Sequence, residues 1–284
     1  MANSYFNLEK SGLVSRRQLM AGVGAAVAGA AVAPAAVAEV SQLRPGGIQL
    51  FNGKDFSGLY THLNGPGLDD PDKVFTINDG ILRISGQTYG GIYTNYGYEN
   101  YRIIVEWKWG EKMWQQGARD SGLLLHGTGG DGGFRGDWIE SIEFQMYEGA
   151  TGDFILLNGK TGVSVTVEGE MRDDTLYHYV PGMPAQERAM MKNGEPTGIT
   201  YIIPHLNRDP NWRSELGFRG KDTVEKPVGE WNTIEAICDR DTITNIVNGH
   251  EVNKATKCWP RRGKIGIQSE GAELFIRRME LFPL

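Results

Sequence analysis

The feature that most constrains this chain is its punctuation. From residue 74 onward, apolar and polar residues alternate in short runs, and most runs end at Gly, Asn or Asp. Period-2 alternation puts one side of a run in a core and the other outside, as in a β-strand. Twelve such runs are expected: Val74–Ile77, Ile81–Ser85, Gly91–Thr94, Tyr101–Trp109, Gly122–His126, Ile142–Tyr147, Asp153–Leu157, Gly162–Glu168, Asn232–Cys238, Thr242–Val247, Gly263–Gln268 and Leu274–Phe282. Asn78-Asp-Gly80 and Val247-Asn-Gly249 are hairpin signals, because Asn, Asp and Gly tolerate positive φ. Helical periodicity, heptads and long repeats are missing. Many short strands without helices between them read as all-β: an antiparallel β-sandwich or jelly roll.

Residues 169–230 break the rhythm with Pro181, Pro184, Pro196, Pro204, Pro210 and Pro227 among many charges. Tyr177, Tyr179, Tyr201, Trp212 and Phe218 in the same stretch argue against disorder. A loop-rich insertion covering one end or one face of the sandwich is expected.

The first residues read as an address. Ser15-Arg-Arg-Gln-Leu-Met20 precedes a Gly/Ala/Val run, Ala21 to Ala33, and then Pro34-Ala-Ala-Val-Ala38. This is the pattern of a twin-arginine export signal cleaved after Ala38, which implies a periplasmic or secreted protein. A short membrane anchor is the competing reading, but the run falls short of the ~20 strongly apolar residues a span needs. The expected organisation is a signal at 1–38, a short linker at 39–47 and one sandwich domain over 48–284.

Losing Lys10, Arg16 and Arg17 together with Glu9 takes the net charge from −6 to −8. An acidic body without basic runs argues against nucleic acid or an anionic membrane as partner and leaves small neutral molecules or glycans. Cys238 and Cys258 are the only cysteines. An oxidising compartment permits a disulfide between them, and two buried thiols are an equal alternative. Their spacing is no zinc pattern. His62, His178, His205 and His250 show no metal-ligand spacing either. No cofactor is therefore expected, and a divalent metal held by distant residues is left open.

Alternation also assigns faces. In Ser121–His126, His126 shares a side with Leu124 and Gly122; in Val105–Trp109, Glu106 and Lys108 lie opposite Val105, Trp107 and Trp109. In Ile142–Tyr147 the polar side is Glu143, Gln145 and Tyr147. If these strands are neighbours, Glu106, Lys108, His126, Glu143 and Gln145 line one polar surface of the kind that binds sugars. A solvated outer face is the alternative. Glu143-x-Gln145-x-x-Glu148 also resembles the Glu-x-Asp-x-x-Glu strand of laminarinase-type glucanases, with Gln145 in place of the helper acid. A retaining glycosidase needs its carboxyl pair roughly 5–5.5 Å apart and their pKa values separated. An amide at 145 cannot share a proton and so weakens that mechanism.

Several segments together resemble the 3-keto-disaccharide hydrolase domain family. They are Leu50–Gly58 (LFNGKDFSG), Asp79–Leu82, Asp120–His126 (DSGLLLH), Ser141–Gln145, Glu148–Phe154 (EGATGDF), Lys226–Thr233 (KPVGEWNT), Val247–Gly249 and Gly263–Glu273. The resemblance spans about residues 48–284 and is weaker around 183–220. It implies a concanavalin A/laminarinase-like sandwich that cleaves glycosides whose C3 hydroxyl is already a ketone. A C3 ketone acidifies the C2 proton, so a base removes it and the C1 substituent leaves by elimination; water then completes a net hydrolysis. Such chemistry needs a base, a donor at the developing enolate oxygen and an acid for the leaving oxygen. On this reading Glu143 or His126 is the base and the other the acid or orienting group. Gln145 bonds a sugar hydroxyl, Lys108 stabilises the enolate, and Glu106, Gln268 and Glu270 add contacts. Trp138 and Tyr177 are candidates for stacking on a sugar ring, although an aromatic in such a fold more often serves the core.

Overall fold

A computed structural model describes residues 46–167, 169–172, 175–178, 186–192, 195–203, 209 and 211–284. The proposed signal and linker, apart from residues 46 and 47, lie outside the described residues. In chain order the strands begin with β1 (Ile48–Gln49), β2 (Leu59–Leu63), β3 (Phe75–Asn78), β4 (Ile81–Ile84), β5 (Gly90–Thr94) and β6 (Tyr101–Met113). Next come β7 (Asp120–Thr128), β8 (Glu140–Tyr147), β9 (Phe154–Leu157), β10 (Ser164–Thr166), β11 (Gly169–Arg172) and β12 (Thr175–His178). The last are β13 (Gln186–Lys192), β14 (Glu195–Ile203), β15 (Asn232–Asp239), β16 (Thr242–Val247), β17 (His250–Trp259), β18 (Lys264–Ser269) and β19 (Ala272–Pro283).

Sheet I runs β10-β17-β16-β15-β6-β19-β4-β3, with β1 added beside β19; sheet II runs β13-β14-β9-β8-β7-β18-β5-β2. Every pairing between these strands is antiparallel. The described chain is thus the expected all-β sandwich. Its main core is filled from both sheets by Ile103, Val105, Trp107 and Trp109 of β6, Leu123 and Leu125 of β7, Ile142, Phe144 and Met146 of β8, and Ile267 of β18. Both predicted hairpin turns form, with φ of 50° at Asp79 and 78° at Gly80, and 48° at Asn248 and 84° at Gly249.

The stretch 169–230 corrects the loop-rich expectation. It contains β11 and β12, which form a separate hairpin, and β13 and β14, which extend sheet II beyond β9. Its remaining described part, 209 and 211–230, is loop, anchored through Glu225. That carboxylate accepts from Trp109 Nε1 at 2.9 Å, Thr151 Oγ1 at 2.8 Å and the Gly149 N–H at 3.1 Å.

Cys238 and Cys258 are buried free thiols. Strand β16 separates them, since Cys238 registers with Ile243 and Ile243 in turn with Ala255. Two strand spacings put the chains about 9.5 Å apart, beyond the ~7 Å between Cα atoms that a disulfide spans.

Candidate active site

The site is built on the outer face of sheet II. Ile142, Phe144 and Met146 face the core, so Glu143 and Gln145 point the other way. A solvated face would leave them exposed, yet Glu143 is only 2% and Gln145 only 8% exposed. Antiparallel register sets Asp120 opposite Tyr147, Gly122 opposite Gln145 and Leu124 opposite Glu143 on the adjoining β7. On the other side of β7, Gln268 of β18 occupies the same face, because its neighbour Ile267 is core and pairs with Leu123. Glu270 follows the end of β18.

Gly122 lets these side chains meet. A Cβ at this position would collide with Glu143 Oε1 and lie 2.6 Å from Gln268 Oε1. The Glu143 carboxyl therefore reaches across β7, over the bare Gly122 backbone, towards Gln268. Glu143 Oε1, Gln268 Oε1 and Asp120 Oδ1 are buried, and none has a hydrogen-bond partner. Such orphaned acceptors cost free energy unless a proton or a ligand satisfies them.

Electrostatics follow from this crowding. Burial raises Glu143 well above the ordinary carboxylate range, and the Asp120 charge adds to the rise; Gln268 partly opposes it. Burial raises Asp120 to about 8 against the pull of the Ser121 N–H and the Gln145 side chain. Glu270 is pushed well up by burial first, then by Asp120 and Glu143, with Arg135 opposing. Three carboxyls on one covered surface cannot all ionise, so the cluster holds protons at neutral pH. Acids whose hold on their protons is strengthened by burial and by one another are a signature of acid–base chemistry. The half-buried Tyr89 phenol, raised to about 12 by burial and then by Glu270 and Asp120, borders the same cluster and donates to Gln115 Oε1 at 2.8 Å.

An apolar cap adjoins it. The turn between β7 and β8 lays Phe134, Trp138 and Ile139 over Tyr93, Leu124, Ile155 and Leu157. Trp138 is thereby enclosed, stacked at 5.6 Å on Tyr89, with the Arg135 guanidinium 5.7 Å from its ring. Arg135, held 3.5 Å from Asp137, is the cation whose charge reaches Glu270.

Three of the residues expected here lie elsewhere. Glu106 and Lys108 sit on β6 in sheet I, across the core from Glu143. Glu106 is tied to Arg277 at 2.6 Å and Arg278 at 3.1 Å, while the Lys108 ammonium lies 5.1 Å from the Trp231 ring. Alternation assigned their side of the strand but not their sheet. His126 is displaced for another reason. Its φ of 56° and the register shift between Leu125 and Thr128 break the alternation of β7. The ring turns inward to meet core Tyr101 edge-on at 5.7 Å, and its Nδ1 lies 2.9 Å from the Pro260 carbonyl oxygen. Burial lowers its pKa to about 4, so it is neutral and remote from the carboxyls. Glu148 is also engaged, in a buried pair with Arg119 whose Nη1 is 3.0 Å from both carboxylate oxygens. The side chain of Tyr177 lies outside the described residues.

The residues brought together are Glu143, Gln145, Gln268 and Glu270, joined by Asp120, Tyr89 and Arg135, which the strand reading had not placed. Asp120 was within reach, because alternation continued two residues before Gly122 puts it on the same face. Arg135 sits in an irregular Gly-rich turn and carries no periodic signal. Among the described residues, no group of three or more His, Cys, Asp or Glu side chains is gathered as metal ligands would be, and no helix is long and apolar enough to cross a membrane.

A family model described as a 3-keto-alpha-glucoside-1,2-lyase-like domain matches residues 46–281. Among solved structures, a candidate glycosyl hydrolase from Parabacteroides distasonis ATCC 8503 is 17% identical, covering 84% of this chain and 94% of that one, with a TM-score of 0.48. A carbohydrate-binding module from Bacillus subtilis is 8% identical over 78% and 94% of the two chains, with a TM-score of 0.43. The Bacillus licheniformis β-glucanase is 14% identical over 83% and 97%, with a TM-score of 0.41. No curated protein matches the chain.

Proposed function

The chain belongs to the family of 3-keto-alpha-glucoside-1,2-lyase-like domains, and on that premise we propose that it cleaves 3-keto-glycosides by proton abstraction and elimination. Glu143, once ionised, takes the C2 proton. The C2–H electrons form the enolate, whose oxygen faces the positive charge of Arg135. The C3 carbonyl then reforms, the C1–C2 double bond develops and the C1–O bond breaks. A protonated Asp120 or Glu270 delivers a proton to the leaving oxygen. Water added across the new double bond gives net hydrolysis; release before that step gives a lyase. Gln145 and Gln268 orient sugar hydroxyls as neutral amides.

One observation carries this reading: the polar side of β8 is buried against two further carboxyls instead of facing water. Burial favours the protonated form of each acid, so Glu143 first loses its proton to solvent, and the carboxylate so formed is a strong base. The twin-arginine pattern at residues 15–20 supports export to the periplasm or beyond as part of the proposal.

The test is to incubate the protein with a 3-keto-glucoside and with its unoxidised parent and to follow release of the aglycone. Release from the keto substrate alone is expected, and Glu143→Gln should abolish it while remaining folded. Equal release from the parent would identify an ordinary glycosidase. Sugar binding without release from either would identify a binding module.

A further inference from the structure

At the far end of sheet II from the carboxyls, a cleft of about 540 Å³ opens between the β17–β18 turn and the end of β7. Its charge is opposite to that of the chain. Arg240, Arg261, Arg262 and Lys264 line it against the single carboxylate of Glu99, whereas the whole chain carries −6. Arg240 is partly neutralised by Asp239 at 3.3 Å. Among the described residues Arg261 and Arg262 have no ion-pair partner, and both are exposed. Trp259, on the same rim, is 54% exposed, while Trp107, Trp109 and Trp138 are buried. Gly97, Gly127, Gly129 and Gly263 contribute backbone to its walls.

The rim is held in place from below. His126 Nδ1 is within hydrogen-bond distance of the Pro260 carbonyl oxygen, and Gly263 and Tyr98 exchange both backbone hydrogen bonds. Gly263 also packs so tightly that a Cβ there would lie 2.6 Å from the His126 carbonyl oxygen. Lys264 marks the boundary towards the active site: its ammonium lies 2.8 Å from the Tyr60 hydroxyl. Tyr93, Leu124 and Trp138 belong to a buried apolar cluster on the same sheet. Gln268 lies four residues along β18 from Lys264, roughly 13 Å at the usual strand rise.

We propose that this cleft is a second saccharide site, separate from the carboxyl cluster, and that its ligand is an acidic sugar chain. An exposed indole offers an apolar face to a pyranose ring. Two unpaired guanidiniums beside it match the planar, two-pronged geometry of a uronate carboxylate. A neutral glycan would use the tryptophan and leave the arginines idle. A bare inorganic anion would do the reverse. Binding here holds an acidic polymer or glycoconjugate on the protein without occupying the catalytic face.

Calorimetric titration of the full protein with tetragalacturonate, maltotetraose and sodium sulfate tests the idea. Tetragalacturonate should bind, weaken as salt rises, and lose at least tenfold in affinity in the Arg261→Ala/Arg262→Ala double variant and again in Trp259→Ala. All variants should unfold at the wild-type temperature and cleave a small 3-keto-glucoside within twofold of the wild-type rate. No binding of tetragalacturonate, unchanged affinity in the double variant, or equally tight maltotetraose would overturn the proposal. So would displacement by equimolar sulfate, which would mark an adventitious ion site only. The readout is binding, so a failure of the cleavage reaction would leave this result intact.

Discussion

Replacing Asp120 with Asn removes a carboxyl whose burial raises it to about 8 from an ordinary value of 3.8. Between those two values the folded protein holds a proton that the unfolded chain has released. A group raised in this way contributes stability that is complete below pH 3.8 and lost as pH climbs towards 8. The loss is about 1.4 kcal/mol per pH unit, or about 4 kcal/mol between pH 4 and pH 7 at most. Asp120 retains some contact with solvent, and screening reduces the effect to about 2 kcal/mol. Asn keeps the shape and cannot ionise. Asp120→Asn should therefore match the wild type near pH 4 and exceed it by about 2 kcal/mol at pH 7, a shift of about 4–8 °C in unfolding temperature. Thermal unfolding of both proteins from pH 4 to pH 8 measures the difference, in which titrations common to both cancel. A difference that stays flat with pH, or a variant that is less stable at pH 7, would refute the claim that this carboxyl is held protonated by burial.

Other consequences are equally direct. Arg119→Ala strands the buried Glu148 carboxylate and should cost about 3–5 kcal/mol in denaturant unfolding at pH 7. His126→Ala should lower stability by about 2 kcal/mol through a lost hydrogen bond and a small cavity, while the folded fraction cleaves 3-keto-glucoside at close to the wild-type rate. The kcat/KM profile should keep rising through neutral pH, because Glu143 is raised well above the usual carboxylate range. An ordinary exposed carboxylate base would instead level off above about pH 5.

How much of this was legible in the sequence differs residue by residue. Strands such as β15, whose Ile234, Ala236 and Cys238 turn inward while Thr233, Glu235 and Ile237 turn out, advertise themselves by alternation. Gln186-Glu-Arg-Ala-Met-Met-Lys192 has no such rhythm, so nothing in its sequence announces β13 as a strand. It is the terminal strand of sheet II, and an edge strand need not carry a core-facing stripe. Within the site, alternation placed Glu143 and Gln145 on the correct face. It failed at His126, where one residue with positive φ reverses the side chain. It failed differently at Glu106 and Lys108, because period 2 tells which side of a strand a residue takes and nothing about which sheet the strand joins. Burial of the polar face was not legible, since it depends on Gly122 letting the Glu143 and Gln268 side chains of the two flanking strands meet.

The fate of the C2 hydrogen tests the central proposal most directly. A 3-keto-glucoside carrying deuterium at C2 is cleaved to partial conversion, quenched by reduction and analysed by mass spectrometry. Proton abstraction by Glu143 sends that deuterium to solvent, so the released sugar should carry none, and Glu143→Gln should neither cleave nor exchange the label. A released sugar that keeps its C2 deuterium and forms with no primary isotope effect on the rate would mean the bond breaks without an enolate, and would contradict the assignment of Glu143 as the base.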